Sequence, residues 1–380
     1  MTTAASQAIA VARGEGVVAP SPRILLLTRD DPAWSTGGVE TFTRKLAEVF
    51  PGSEVVAYDG ASGPRIVCDE ARDARAILPR LLERAAACKP DVVVANGAAA
   101  WAMDPARARE LGVPVVTVYH GTYAGFGRAI SPVAWRRGFI ARSYGAWLER
   151  RAGRDRAAVV AVSATVAAQA ELFYGAAPRI IENCSTLDAA SLPSSDVARA
   201  RLGLERGARV LLFVGRAQRT KGFDLLVRLA KWRSDWTVLA AGVTARPEHP
   251  PNLRALGVLS GAQLADAYAA CDVVVHPSWY EGCPFALLDA IACDRPIVTT
   301  ATGCFPTPGM HPFGIVLPEP EAIALTSCIG LVLEERGRFE PRATTAARFG
   351  FDRFAKSWRT LIDEVAGRHS TPRCEDARDG

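Results

Sequence analysis

The chain has 380 residues, 49% of them hydrophobic and 22% charged, with 45 Lys and Arg against 40 Asp and Glu for a formal net charge of +5. That length suits about two domains of roughly 100–200 residues, and the composition excludes a largely disordered chain. The mild charge does not suggest a nucleic-acid-binding protein, which would show a strong basic stripe.

RILLLT (23–28) reads as a strand, and Gly38 to Phe50 as a helix whose Val39, Phe42, Leu46 and Val49 share one face at steps of three and four. SEVVAYD (53–59) is a second strand, and 72–88 suits a helix aligning Ile77, Leu81, Leu82 and Ala85. DVVVAN (91–96), VPVVTVYH (113–120) and VVAVS (159–163) read as buried strands, with a helix to about residue 173 and a closing RIIENC (179–184). Residues 191–207, with Pro193, Ser194 and Ser195, read as a linker or surface helix. The pattern then restarts with RVLLFVG (209–215), a helix over 223–232, and the strands WTVLAAG (236–242), DVVVHPS (272–278) and RPIVTT (295–300), with helices at 261–270 and 284–293. A last helix, about 352–366, lines up Phe354, Trp358, Leu361, Ile362 and Val365. Strands apolar throughout and separated by helices argue for parallel sheets covered on both faces. Two such series predict two doubly wound α/β domains, over 23–190 and 208–350, with the helix at 351–367 packing back toward the first.

No apolar run approaches the roughly 18 residues of a spanning helix. The small-residue start is broken by Gln7, Arg13 and Glu15 and forms no secretory h-region, so residues 1–22 and 368–380 read as flexible tails. The nine cysteines include no C-x-x-C pair, which favours reduced thiols in a cytoplasmic protein over a zinc or thioredoxin-like motif.

In open parallel sheets ligands bind beyond the carboxyl ends of the strands, so the loops there are the candidate site. Gly37-Gly38 after the first strand permit close backbone approach at a helix N-terminus, where anions are favoured. His120-Gly121 end another strand, and the histidine can donate a hydrogen bond or exchange a proton near neutral pH. Arg216 and Lys221, five apart in one strand-to-helix loop, make a diphosphate clamp. In Glu281-Gly282-Cys283-Pro284-Phe285 the proline fits the start of a helix whose amides would face an anion. Glu281 just before that helix and Asp289 within it can each accept two hydroxyls.

Together these loops resemble the retaining glycosyltransferases of the GT-B fold, most closely family GT4. The resemblance covers about residues 23–366 and is carried by GGVE at 37–40, HG at 120–121, GRAQRTKG at 215–222, and the carboxylate motif from Glu281 to Asp289. It implies two Rossmann-like domains with a cleft between them, the first binding the acceptor and the second the nucleotide sugar. By the same resemblance His120, Arg216, Lys221 and Glu281 would be catalytic, with His120 and Glu281 on the transferred sugar and the two cations on the diphosphate. Gly37, Gly38, Gly282 and the backbone around Cys283, Pro284 and Phe285 would line the donor site, and Asp289 would bind the ribose hydroxyls. Two departures stand out: Asp289 occupies a position where family members usually have Glu, and Asn183-Cys184-Ser185-Thr186-Leu187-Asp188 replaces a common Asn-Gly-Val-Asp, leaving little weight on Asn183.

The implied reaction moves a sugar from a nucleoside diphosphate, UDP or GDP foremost, to a hydroxyl acceptor with retention by same-face attack. No cofactor and no metal are expected, and no D-x-D cluster appears. The segment 128–156 sets eight arginines against Glu149 and Asp155, interleaved with Trp135, Phe139, Tyr144 and Trp147. It reads either as a membrane-surface helix serving a lipid acceptor or, preferably, as an amphipathic helix packed on its own domain. A nicotinamide dehydrogenase is rejected, because the nearest G-x-G-x-x-G match, from Gly14 to Ala19, precedes the first strand; a P-loop motif is absent. A sugar-nucleotide epimerase or a non-catalytic sugar-nucleotide-binding protein of the same fold stays as the alternative.

Overall fold

The computed structural model describes residues 22–33, 37–57, 74–76, 78–103, 105–129 and 135–368. The expected tails fall almost wholly outside them, as does Ile77 of the expected second helix.

The first half builds a six-stranded, all-parallel sheet from β1 (Ile24–Thr28), β2 (Glu54–Ala57), β3 (Val92–Asn96), β4 (Val115–Tyr119), β5 (Ala158–Ala161) and β6 (Arg179–Ile180), in the order β2-β1-β3-β4-β5-β6. Every residue of β1, β3 and β4 is buried, as unbroken apolar runs demand when helices cover both faces. Those helices are α1 (Gly38–Val49), α2 (Leu78–Cys88), α3 (Pro105–Leu111), α4 (Tyr123–Ala129), α5 (Trp135–Ala152) and α6 (Ala164–Tyr174). Helix α1 buries Phe42, Leu46 and Val49. Helix α6 starts where the Ser163 side chain accepts from the Val166 amide and stops at left-handed Gly175.

RIIENC is a strand for only two residues. Ile181 to Cys184 instead run buried into the crossover between the halves, because Glu182 and Asn183 find partners in the second domain. The stretch expected as a linker is likewise built in. Its helix α7 (Ser195–Arg201) buries Ala198 against Ala269 and Ala270, and Arg199 grips Asp272 through two 2.9 Å hydrogen bonds.

The second sheet has seven strands in the order β12-β13-β11-β10-β7-β8-β9. They are β7 (Arg209–Val214), β8 (Trp236–Ala241), β9 (Leu253–Gly257), β10 (Val273–His276), β11 (Ile297–Thr300), β12 (Gly309–His311) and β13 (Gly314–Leu317), all parallel except β12. Helices α8 (Phe223–Trp232), α9 (Gly261–Ala270), α10 (Phe285–Ala292), α11 (Ala322–Glu334) and α12 (Pro341–Phe349) complete this half. The terminal α13 (Phe351–Arg368) leaves it and packs on the first domain, where Phe354 and Trp358 meet the Phe42 ring edge-on at 5.9 and 5.7 Å. The carboxyl ends of both sheets thus face one another.

Candidate active site

A cavity of about 530 Å³ lies between the two sheets. The first domain lines it with Arg29, Gly37, Gly38, His120 and Asn183, and the second with Arg216, Lys221, His276 and the run from Glu281 to Ala286. Every expected site residue reaches it except Asp289.

Lys221 is placed by backbone geometry. It ends a single turn of 3₁₀-helix, and the next residue, Gly222, takes φ +69° in contact with Pro277. A Cβ there would lie 2.1 Å from the Pro277 carbonyl oxygen, so only glycine fits. The Lys221 ammonium then donates to both Glu281 oxygens, at 2.7 and 2.8 Å. Glu281 Oε1 also accepts from the Ser278 hydroxyl at 2.8 Å and lies 2.8 Å from His276 Nε2. Burial opposes ionisation of Glu281, but the Lys221 charge and the His276 contact outweigh it and hold the carboxyl well below its usual range. One oxygen is fully committed to this network, and Oε2 keeps capacity for a ligand.

Helix α10 supplies the anion-facing end. Pro284 stands at its cap, one residue before the first helical position, with Phe285 and Ala286 of the first turn on the cavity wall. Amides of a first helical turn have no intrahelical acceptor and favour an anion. Arg216 sits exposed on the same wall, and its charge acts on Glu40.

The two glycines at 37–38 do different work. A Cβ on Gly37 would lie 2.0 Å from Glu40 Oε2, so this glycine makes room for a buried carboxylate whose pKa burial raises. Gly38 has nothing within 4 Å of its Cβ direction and is the glycine that leaves space for a ligand. Gly282 serves domain contact: a Cβ there would lie 1.9 Å from the His120 carbonyl oxygen.

His120 lies on the cavity wall. Its ring packs edge-on against Phe42 at 4.6 Å, and its Nε2 is buried without a hydrogen-bond partner. Burial lowers its pKa to about 3. Burial thus favours the neutral imidazole, which can hydrogen-bond a ligand from the cavity wall.

Asp289 is a correction to the sequence reading. Its carboxylate does not line the cavity but is spent on the crossover: Oδ1 accepts from Ser185 Oγ (3.0 Å), the Thr186 amide (2.5 Å) and the Leu187 amide (3.2 Å), and Oδ2 from Thr186 Oγ1 (2.8 Å). Asn183, given little weight from sequence, does line the cavity and donates to the Cys283 carbonyl at 2.8 Å. Tyr280 was also missed as a contact residue. Its hydroxyl accepts from the Thr122 amide (2.7 Å) and donates to Gln169 (2.9 Å), and burial pushes its pKa up to about 12. Nothing in the sequence near Thr122 or Gln169 signals that pairing, because it forms only when the domains meet.

Among the described residues no three His, Cys, Asp or Glu side chains converge to hold a metal. None of the described helices is long and apolar enough to cross a membrane. Of the segment 128–156, side chains 128–142 lie outside the described residues. Beyond them, helix α5 buries Leu148 and Ala152 against its own domain, and Trp147 stacks on Tyr144 at 5.8 Å.

A model described as Glycosyltransferase Family 4 matches residues 36–187, and one described as Glycosyl transferases group 1 matches 208–334. A D-inositol 3-phosphate glycosyltransferase of Kineococcus radiotolerans is 30% identical over 259 residues, 56% of this chain and 60% of the relative. The enzyme of the same name from Mycobacteroides abscessus is 30% identical over 184 residues, 44% of this chain and 40% of the relative. The matched stretches thus span about half the length of these relatives. Among solved structures, sucrose-phosphate synthase from Thermosynechococcus elongatus superposes with a TM-score of 0.79 at 19% identity, covering 91% of this chain and 100% of the other. Anabaena Alr3699/HepE, solved in complex with UDP-glucose, gives 0.69 at 17% identity, covering 92% and 100%. With one of these models on each half and two facing sheets of the GT-B type, the chain belongs to the group 1 and family 4 glycosyltransferases.

Proposed function

We propose that the protein transfers a sugar from a nucleoside diphosphate, UDP being the first candidate, to a hydroxyl acceptor with retention at the anomeric carbon. The observation that carries this reading is the cavity itself, which sets the Arg216 and Lys221 side chains and the start of α10 on one wall opposite His120 and Gly38 on the other. The UDP-glucose of the Anabaena protein supports the choice of base. The diphosphate lies at the start of α10. As the bond from the anomeric carbon to the phosphate oxygen breaks, Arg216 and Lys221 stabilise the departing charge as preorganised cations.

Retention follows one of two routes. Double displacement needs a free carboxylate on the face opposite the leaving group. Among the described residues lining the cavity the carboxylate is Glu281, and its Oε1 is committed to Lys221, His276 and Ser278. This supports attack from the same face: the acceptor oxygen bonds to the anomeric carbon, and its proton passes to the leaving phosphate oxygen. Glu281 Oε2 and neutral His120 orient the transferred sugar. No metal and no cofactor take part in this reading, and the protein works in the cytoplasm.

The test is thermal unfolding with UDP, GDP, ADP, dTDP, CMP and NAD, each with EDTA. A ligand at about 100 times its Kd stabilises by roughly 2.7 kcal/mol. A selective shift with one nucleoside diphosphate supports the reading and names the donor. A shift with NAD alone, or none with any diphosphate, overturns it. Product analysis by NMR then separates transfer to an acceptor from epimerisation or simple binding.

A further inference from the structure

Two stretches of backbone meet between the domains beside the cavity. On the first domain His120, Gly121 and Thr122 follow β4, and on the second Tyr280, Glu281 and Gly282 precede α10. Glycine permits the approach: a Cβ on Gly282 would lie 1.9 Å from the His120 carbonyl oxygen, and one on Gly121 would lie 3.1 Å from the Tyr280 ring. His120 and Glu281, which line the cavity from opposite domains, are carried on the two sides of this seam. Tyr280 closes it with polar contacts. Its hydroxyl accepts from the Thr122 amide at 2.7 Å and donates to Gln169 Oε1 at 2.9 Å. Gln169 Oε1 also accepts from the Thr122 hydroxyl at 2.7 Å, and that hydroxyl accepts from the Gly125 amide at 2.9 Å, which caps the first turn of α4. Gln169 reaches this point because residue 125 is glycine; a Cβ there would lie 2.2 Å from its Oε1. The Tyr280 ring meets Phe126 edge-on at 5.9 Å. Neither Tyr280 nor Gln169 lines the cavity.

We propose that Tyr280 is a positioning residue for the transfer step: its hydroxyl locks the Glu281 loop onto the start of α4 and so fixes His120 and Glu281 relative to one another across the transferred sugar. The contact of those two side chains with the sugar rests on the transferase reading above; the lock itself does not. The nucleotide is held at the start of α10 and by the loop that carries Arg216 and Lys221, all within the second domain, so the lock bears on turnover and not on nucleotide affinity. Removing the hydroxyl takes the acceptor from the Thr122 amide, whose residue is buried, and one of two donors from Gln169 Oε1. A buried amide left without its acceptor is costly, so the seam shifts to find another. Misplacing reacting groups by about 1 Å can cost on the order of 10²-fold in rate.

The experiment compares wild type with Tyr280→Phe, which keeps the ring, with Gln169→Leu, which removes the shared acceptor, and with the double variant. Single-turnover release of the diphosphate to water is followed from UDP-glucose, GDP-glucose and ADP-glucose, and calorimetry gives the Kd of UDP, GDP and ADP. Each single variant should lose about tenfold or more in rate while Kd stays within about threefold of wild type. The double variant should fall no further than the slower single one, because both changes break the same lock. A rate within about twofold of wild type in either single variant overturns the proposal. So does a multiplicative loss in the double variant, or a Kd that weakens as much as the rate falls. Hydrogen exchange of the amides over 121–127 reads the lock without turnover: exchange there should be about tenfold faster in both single variants, and unchanged exchange overturns the lock. If Tyr280→Phe does not fold, Gln169→Leu decides. If wild type releases no diphosphate from any of these sugars, the transferase reading fails and the exchange still decides the lock.

Discussion

Lys221 and Glu281 show how a site residue acquires its state from its neighbours. A buried ion pair of this kind gains little by existing and loses much by halves, because one partner left alone is an uncompensated charge; breaking such a pair costs about 3–5 kcal/mol. Arg216 is different, being exposed on the cavity wall. Arg216→Ala should therefore leave stability nearly intact and cut turnover about 10²–10³-fold, as for loss of one charge-stabilising donor, far more than it weakens donor binding; steady-state transfer kinetics beside calorimetry check this, and unchanged turnover removes the role. Acid sensitivity has two sources of known sign. Burial drops the His120 pKa from 6.5 to about 3, so the unfolded chain takes up that proton first and stability falls as pH drops from 6.5 toward 3. Glu281 is depressed from 4.5, so its contribution is full above that value and drains away only below it. Urea unfolding from about pH 7 to about pH 3 should show His120→Gln flattening the upper part of the loss and Glu281→Gln only the lower part. The identities of these residues were legible in the sequence, since residue type and loop position already point to phosphate and hydroxyl chemistry. Their states were not, because burial beside Phe42 of the same domain favours a neutral His120, and Thr186, 103 residues away in sequence, holds Asp289.

Elements with strong apolar periodicity matched their sequence expectation closely. Helix α8 spans Phe223–Trp232, as read, because Phe223, Leu226 and Leu229 share one buried face, and α9 spans Gly261–Ala270, as read, with its start fixed by a capping box between Ser260 and Gln263. The reading passed over β9, β12 and β13. β12 has three residues and β13 four, and the five of β9 are only partly buried along its length, so no apolar run marks it. RIIENC pairs as a strand only at Arg179 and Ile180, because its polar residues belong to contacts with the second domain, which local pattern does not contain. The loop between β7 and α8 depends on one backbone choice. Gly222→Ala places a Cβ against the Pro277 carbonyl at positive φ and should cost at least ~1–3 kcal/mol, read as a lower urea midpoint, with nucleotide binding weakened because Lys221 moves.

Across the whole molecule the two domains are held at several points around the cavity. Tyr280 meets Thr122 and Gln169, Thr165 donates to the Gly303 carbonyl at 2.7 Å, and α13 ties the end of the chain to the first sheet. Trp358 is fully buried among these rings. Trp358→Ala should cost about 3–5 kcal/mol in chemical denaturation; a loss well under about 1 kcal/mol would mean that α13 is not a stabilising clasp. The amino-acid sequence by itself determined two α/β halves, the loops at their strand ends and most of the residues in the cavity. These follow from local periodicity and from residue chemistry at short spacing. Tertiary structure alone decided which glycine leaves room for a ligand, that His120 is neutral, that Asn183 belongs to the cavity and that Asp289 serves the crossover. Each depends on a partner brought in from another domain or another turn of the chain, and the free energy of a buried polar group is a property of the pair and its surroundings, which no single stretch of sequence contains.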